Sequence, residues 1–463
     1  MKLLLILLNI FFVFFTDKPL TGQPALSERA QAQRTKWNIP VEELDYPVNP
    51  IYLDSLRQMG ITIYHTSRWF NGATVEMTKT KSQQVAALGF VSQVEETRDN
   101  STPIYGPKRN KIVERTSINY TDAQLDLFNL TALHQEGFEG QGILMAVCDG
   151  GFYRANTLSC FRQEQELGHF DFTDDVDDFY GYTGTHGTEC LSTISGIQEG
   201  FYGAATQANY YLMRSEENDT ESPKEMDNLV AALEKADSLG INVFSVSLGY
   251  AMFDHGGWDL NKHTDLDGQT TRCSRAATIA ARKGMLVCVA AGNEGDAPWG
   301  TIGAPADADS ILTVGAVDLD SIAGRFSSYG PSSDGRLKPE VCAVGVQTTL
   351  INPSGYIVTS SGTSFATPLI AGMAASLWSA LPDENNMQIR ERIIRSSDRY
   401  THPDYANNVY GYGIPDAWKA YTMSLTDIPL TQEESSHRKI LYNGQVVILH
   451  NGQLYDIMGR KIE

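Results

Sequence analysis

Ser364 stands in the run Gly362, Thr363, Ser364, Phe365, Ala366, Thr367, Pro368, which leads into an apolar stretch over 369–377. This pattern sets a lone hydroxyl at the mouth of a buried helix. The first turn of a helix leaves its backbone N–H groups unpaired, and Pro368 reads as part of that turn, where its missing N–H costs little. Free N–H groups and the positive end of the helix dipole stabilise negative charge placed beside them. Gly362 and Ala366 are small enough to let another chain approach. A nucleophile that generates an oxyanion next to itself needs this setting. Its hydroxyl also needs a base, and the base needs an orienting carboxylate. The apolar run 143–148 ends in Asp149, Gly150, Gly151, as a buried parallel strand does when it delivers an acid at its carboxyl end. Gly184, Thr185, His186, Gly187, Thr188 precede a helical pattern over 191–197, which puts His186 at a helix N-terminus. The apolar run 286–291 leads into Gly292, Asn293, Glu294, Gly295, from which Asn293 can point an amide N–H into the same crevice.

The elements that must position these groups follow from the alternation of apolar runs. Strands are expected over 143–148, 210–213, 243–246, 286–290 and 311–317, and helices over 226–239, 274–283 and 364–380. That order predicts a three-layer α/β fold: a mostly parallel sheet with helices on both faces and chemistry at the carboxyl ends of its strands.

The four pieces, in the order Asp, His, Asn, Ser, resemble the subtilisin-like serine peptidases (subtilases). The matching segments are Asp149-Gly150-Gly151, His186-Gly187-Thr188, Ala290-Ala291-Gly292-Asn293 and the serine heptapeptide, with Ser247-Leu248-Gly249 similar to the family's substrate-binding strand. Gly150 departs from the pattern, which usually carries Ser or Thr there. The resemblance implies that Ser364 attacks the scissile carbonyl, that His186 moves its proton, that Asp149 holds the imidazole, and that Asn293 with the Ser364 N–H binds the oxyanion. The implied protein is a secreted serine endopeptidase working through an acyl-enzyme on polypeptide substrates, with no organic cofactor. The alternative, from another class, is a catalytically silent secreted protein that keeps the cleft to bind peptides. An intracellular processing peptidase is a further rival.

The 463 residues are expected to divide into a leader over 1–22, a pro-domain over 23–100, a linker over 101–119, a peptidase domain over 120–425 and a β-rich tail over 426–463. The leader reading rests on an apolar core over 3–15, too short for a comfortable membrane span. It competes with a second reading, in which 12–18 is the first pro-domain strand and 25–36 its first helix. Helices over 52–59 and 82–88, and strands over 61–66, 73–77 and 91–94 with an Asn71-Gly72 turn, complete a small α/β module. It resembles the subtilase pro-domain, which implies a folding aid and inhibitor. A linker containing Lys108, Arg109 and Lys111 follows.

A net charge of −20 argues against nucleic acid as a partner. The chain is expected to act as a monomer outside the cell or at its surface, with no membrane span in its mature form. The six cysteines include no Cys-x-x-Cys pair, so a zinc site is not expected. Cys148, Cys190, Cys288 and Cys342 read as buried thiols, while Cys160 and Cys273 leave a disulfide open. Two acidic loops, one with Asp171, Asp174, Asp175, Asp177 and Asp178 and one with Asp265, Asp267 and Gly268, could bind calcium, as the resemblance allows; neither has the full ligand spacing of a calcium loop, and solvated loops are the favoured reading. Short β-rich runs at 439–442, 446–449 and 454–457 predict a meander. The segment 455–460 resembles the sorting segments of type IX secretion, with a plain stabilising hairpin as the alternative.

Overall fold

The computed structural model describes residues 8–98, 120–173, 178–181, 184–217, 221–254, 259–401, 405–425 and, in the tail, 437–442, 445–450, 453–455 and 461–462. The linker basics, Asp174, Asp175 and Asp177, and residues 456–460 of the sorting-like segment lie outside the described residues.

The N-terminal module contains β1 (Asn9–Phe15), α1 (Glu28–Lys36), α2 (Pro50–Gln58), β2 (Thr62–Ser67), β3 (Gly72–Met77), α3 (Lys79–Ala86) and β4 (Val91–Arg98). Its four strands form an antiparallel sheet in the order β2-β3-β1-β4. The run Asn9–Phe15, which the sequence reading shared between a leader and a strand, lies in the interior of this sheet, with Phe11, Val13 and Phe15 in the module's apolar core. Asn71 closes the β2–β3 turn with φ 45°, a conformation that asparagine tolerates.

The larger module runs α4 (Tyr120–Asp126), α5 (Leu130–Gln135), β5 (Leu144–Asp149), β6 (Glu166–Asp171), α6 (His186–Ser195), β7 (Ile197–Gln198), β8 (Phe201–Tyr202), β9 (Asn209–Arg214), α7 (Lys224–Leu239), β10 (Val243–Val246), α8 (Arg272–Arg282), β11 (Leu286–Ala290), β12 (Leu312–Val317), β13 (Val341–Val344), β14 (Thr348–Ile351), β15 (Ile357–Ser360), α9 (Thr363–Ala380), α10 (Asn386–Ser396) and α11 (Ala417–Thr422). Seven strands pair in the order β13-β12-β11-β10-β5-β9-β6. Every pairing is parallel. The central strands β5, β10, β11 and β12 are buried throughout, as strands covered on both faces must be. One apolar core packs α9 and α6 against the sheet, and a second packs α7 and α8 against it. This is the three-layer α/β arrangement expected.

The two modules meet through buried ion pairs. Arg34 of α1, held on Asp45 of its own module at 3.1 Å, crosses to Asp237 of α7 at 2.7 Å, and Lys283, just past α8, reaches the buried Asp45 at 3.0 Å and the exposed Glu42 at 2.7 Å. His65 of β2 directs Nε2 at the Phe172 carbonyl (2.9 Å) and the Asn228 side chain (3.0 Å). All six cysteines are free and buried, so Cys160 and Cys273 form no disulfide. The tail strands β16 (His437–Tyr442), β17 (Gln445–His450), β18 (Gln453–Tyr455) and β19 (Lys461–Ile462) make an antiparallel meander of their own. No helix among the described residues is long and apolar enough to cross a membrane.

Candidate active site

Asp149 is the last residue of β5 and is fully buried. The Gly150 N–H donates to its Oδ1 at 2.8 Å. His186 is the first residue of α6. Gly187 N–H bonds the Gly151 carbonyl at 3.0 Å, tying the helix start to the loop after β5. A Cβ on Gly187 would fall 2.6 Å from the Gly151 oxygen and 2.8 Å from Asp149 Cβ, so only glycine lets the helix and strand end come this close. The outcome is His186 Nδ1 at 2.8 and 3.0 Å from the two Asp149 carboxylate oxygens. A carboxylate accepts, so Nδ1 carries the proton and Nε2 is the basic nitrogen.

Burial alone would lower the His186 pKa. The Asp149 charge and hydrogen bond outweigh it and raise the value well above 6.5. The Cys190 thiol lies 3.8 and 3.9 Å from the two ring nitrogens. Burial pushes that thiol up to about 11, so it is neutral near pH 7 and the rise at His186 belongs to Asp149. Glu189, in the same helix, is pushed up to about 7, chiefly by burial and further by Asp149, against the pull of His186.

Ser364 is in the first turn of α9, whose N-cap is Gly362. Pro368 is inside the helix, in the second turn, not in the first as the sequence reading had it. The reason is that α9 begins at Thr363. The consequence is specific: Pro368 has no N–H for the carbonyl four residues back, which is that of Ser364. Two side chains from other elements take its place. Ser247 Oγ donates to the Ser364 oxygen at 2.8 Å, and Cys190 Sγ donates to it at 3.2 Å. The Phe365 ring packs 5.3 Å from the His186 ring, centroid to centroid. Ser364 Oγ makes no hydrogen bond to the imidazole in this structure. Such contacts are commonly long before substrate binds. A Cβ on Gly362 would lie 2.8 Å from Ser364 Oγ and would press the hydroxyl out of its present place.

Asn293 follows β11. Its Oδ1 accepts from Thr363 N–H at 2.8 Å and from Thr363 Oγ1 at 3.0 Å. Those two donors identify the oxygen and leave Nδ2 as the free end. That nitrogen is 3.7 Å from where a Gly362 Cβ would sit, on the Ser364 side. Ser247, Leu248 and Gly249 continue from the end of β10 and line a cleft together with Gly292, Asn293 and Thr363. The structure thus brings Ser247, Leu248, Gly249 and Asn293 to one cleft, with the Ser364 carbonyl bonded to Ser247, and His186 packed on Phe365 and bonded to the buried Asp149.

Several participants went unread in the sequence. In the sequence Cys190 reads only as a buried thiol, and Glu189 and Thr363 carry no signal of their own. Pro368 does carry one, since a proline four residues after Ser364 demands an outside donor for the Ser364 carbonyl. Among the described residues, Asp149, His186 and Cys190 are the one group of His, Cys, Asp and Glu side chains close enough to share a metal ion. The thiol there keeps its proton and uses it on Ser364, whereas a metal ligand must be deprotonated. In the acidic loops, Asp171 Oδ1 accepts from Thr173, and Asp265 and Asp267 accept from N–H groups of their own loops.

Residues 140–413 match the model of the subtilase family, and residues 10–114 match that of a peptidase S8 propeptide domain of Bacteroidota. The chain is 29% identical over 312 residues to serine protease AprX of Bacillus subtilis, covering 60% of this chain and 66% of that protein. It is 29% identical over 287 residues to subtilisin NAT of Bacillus subtilis subsp. natto, covering 61% and 66%. The aligned region therefore spans just under two thirds of these relatives. A subtilisin of Bacillus pumilus is also 29% identical, over 288 residues and 92% of its length. Among solved structures, MycP1 from Mycobacterium smegmatis has the same fold, with a TM-score of 0.54 at 21% identity over 70% of this chain and 91% of that one.

Proposed function

This chain belongs to the subtilase family, and on that premise we propose that it is a secreted serine endopeptidase whose catalytic residues are Asp149, His186 and Ser364. The observation that carries the reading is the pair of short contacts from His186 Nδ1 to Asp149, beside a serine at the N-terminus of a buried helix. His186 Nε2 takes the proton of Ser364 Oγ as that oxygen attacks the scissile carbonyl. Asp149 holds the ring and stabilises the imidazolium. Asn293 Nδ2 and the Ser364 N–H receive the oxyanion. The imidazolium then protonates the departing amine, and water releases the acyl group by the same route. In subtilisin, a relative, loss of one oxyanion donor costs about 10²–10³ in turnover, and that magnitude is carried over here.

The substrate lies along Ser247, Leu248 and Gly249 as an added strand, a mode that favours unfolded or loop segments. The N-terminal module acts as the inhibitory propeptide, supported by its family match and by ion pairs that bury charge from both modules. Cleavage between the modules releases the enzyme. The chemistry calls for no organic cofactor.

The test is Ser364→Ala. It abolishes peptide hydrolysis and labelling by a serine-directed fluorophosphonate. Labelling that survives in the variant removes Ser364 as nucleophile.

A further inference from the structure

The cleft beside Asn293, about 120 Å³ in volume, has an uneven chemistry. A hydroxyl carries one proton and two lone pairs. Ser247 gives its proton to the Ser364 carbonyl at 2.8 Å, and Thr301 gives its own to the Tyr329 carbonyl at 2.7 Å. Thr363 points its proton at Asn293 Oδ1, 3.0 Å away. What these three hydroxyls have left for a guest is acceptor capacity. Trp299 donates its indole N–H to the Ile302 carbonyl at 3.0 Å, which fixes the ring and leaves its π-face as a wall. The remaining charged lining residue is Glu294. It has no cationic partner within 4 Å among the described residues. Burial, then the neighbouring Asp296, raise its pKa, as befits a carboxylate short of compensation. No Lys, Arg or His lines the cleft. Lys262 is held on the carbonyls of Pro298 and Trp299 and is not part of the lining.

An acceptor-rich, acid-bearing slot with an aromatic wall suits a long side chain that ends in donors and positive charge. A carboxylate would meet the like charge of Glu294, with only the Asn293 amide and the Ser328 hydroxyl, which accepts from Glu294 N–H and keeps its proton, as side-chain donors. An aromatic guest would find the indole but leave Glu294 unpaired. We infer that this cleft selects lysine or arginine at the residue whose carbonyl Ser364 attacks, with Trp299 against the methylene stem and Glu294 opposite the charge. The inference rests on the serine-peptidase reading above.

The test uses the purified full chain and matched fluorogenic peptides that differ only at that residue, carrying Lys, Arg, Met or Glu. The expected kcat/KM for Lys and Arg exceeds that for Met by about tenfold, the order of one charge contact at a partly exposed site, with Glu lowest. In Glu294→Gln the Lys-to-Met ratio falls toward one. Both rates come from the same preparation, so a misfolded fraction cancels from the ratio. Raising salt to ~0.5 M also shrinks the ratio in the parent protein. A Lys-to-Met ratio of one or less, or a ratio unchanged in Glu294→Gln, overturns the specificity while Ser364-dependent fluorophosphonate labelling keeps the peptidase reading intact. No hydrolysis of any peptide together with no labelling overturns both.

Discussion

The carbonyl of Ser364 is the most exacting test of how this site is built. Pro368 deprives it of its helical partner, and Ser247 Oγ at 2.8 Å and Cys190 Sγ at 3.2 Å supply the replacements. A neutral hydrogen bond contributes about 0.5–1.5 kcal/mol net, and a thiol is the weaker donor. Either donor alone still satisfies the oxygen. Cys190→Ala is therefore expected to lower kcat about two- to threefold, and Ser247→Ala by up to roughly tenfold. Ser247→Ala also shifts KM, because that side chain lines the substrate cleft. The double variant strands a buried acceptor, at about 1–3 kcal/mol, or roughly 5- to 150-fold in rate. Its loss should exceed the product of the two single losses, since each remaining donor covers for the other. The assay is the second-order rate of fluorophosphonate labelling of Ser364, read beside kcat and melting temperature, because labelling reports serine reactivity without peptide binding. A double variant that labels as fast as the parent, or whose loss equals the product of the single losses, refutes the reasoning.

Two further predictions concern protons. A general base works deprotonated, and the pKa of His186 is raised, so kcat/KM should climb with pH across an acid limb lying above the ordinary imidazole range near 6.5. Glu189 ionises around 7 beside the imidazole, and its negative charge favours the imidazolium. Glu189→Gln should therefore move that limb to lower pH, and a pH profile identical to the parent's refutes the assignment. At the module interface, burial lowers the pKa of His65, while its bonds to Asn228 and the Phe172 carbonyl and the charge of Asp227 oppose this and Lys224 adds to it. A depressed pKa in the docked state means docking is fully favoured above 6.5 and weakens as pH falls through the lowered value. Size-exclusion analysis of the cleaved complex should show the N-terminal module released more readily at about pH 5 than at about pH 7. Equal retention at both, or a His65→Gln variant with the same pH response, contradicts the assignment to His65.

The site was legible where its chemistry demands a contiguous signature. A nucleophile at a helix start, an acid at a strand end and an amide after a strand each leave a short run of glycine and small residues around one polar side chain. The central strands were legible for a related reason: burial on both faces makes β5, β10, β11 and β12 mostly apolar runs, with Ser245 and Thr313 the polar residues inside them and Asp149 at the end of β5. The edges were not. β6 reads Glu-Leu-Gly-His-Phe-Asp and is only partly buried, so its charges concealed a strand. β13, four residues long, offered too little pattern beyond an apolar patch. Contacts between distant residues left no local trace either. Cys190 looks like any core thiol until α6 folds it against the imidazole, and Arg34 looks like a surface arginine until α7 brings Asp237 to it.

The strand Asn9–Phe15 is hydrogen-bonded along both sides, to Gly72–Met77 and to Val91–Arg98. It is the keystone of a small arch rather than a thread at its margin. A leader excised after Gly22 would carry this strand off and leave two flanks facing a gap. Excision at that bond and an intact amino-terminal arch are thus mutually exclusive outcomes for one molecule, and the first residue of the protein isolated from its own cell with both modules still joined tells which of them has occurred.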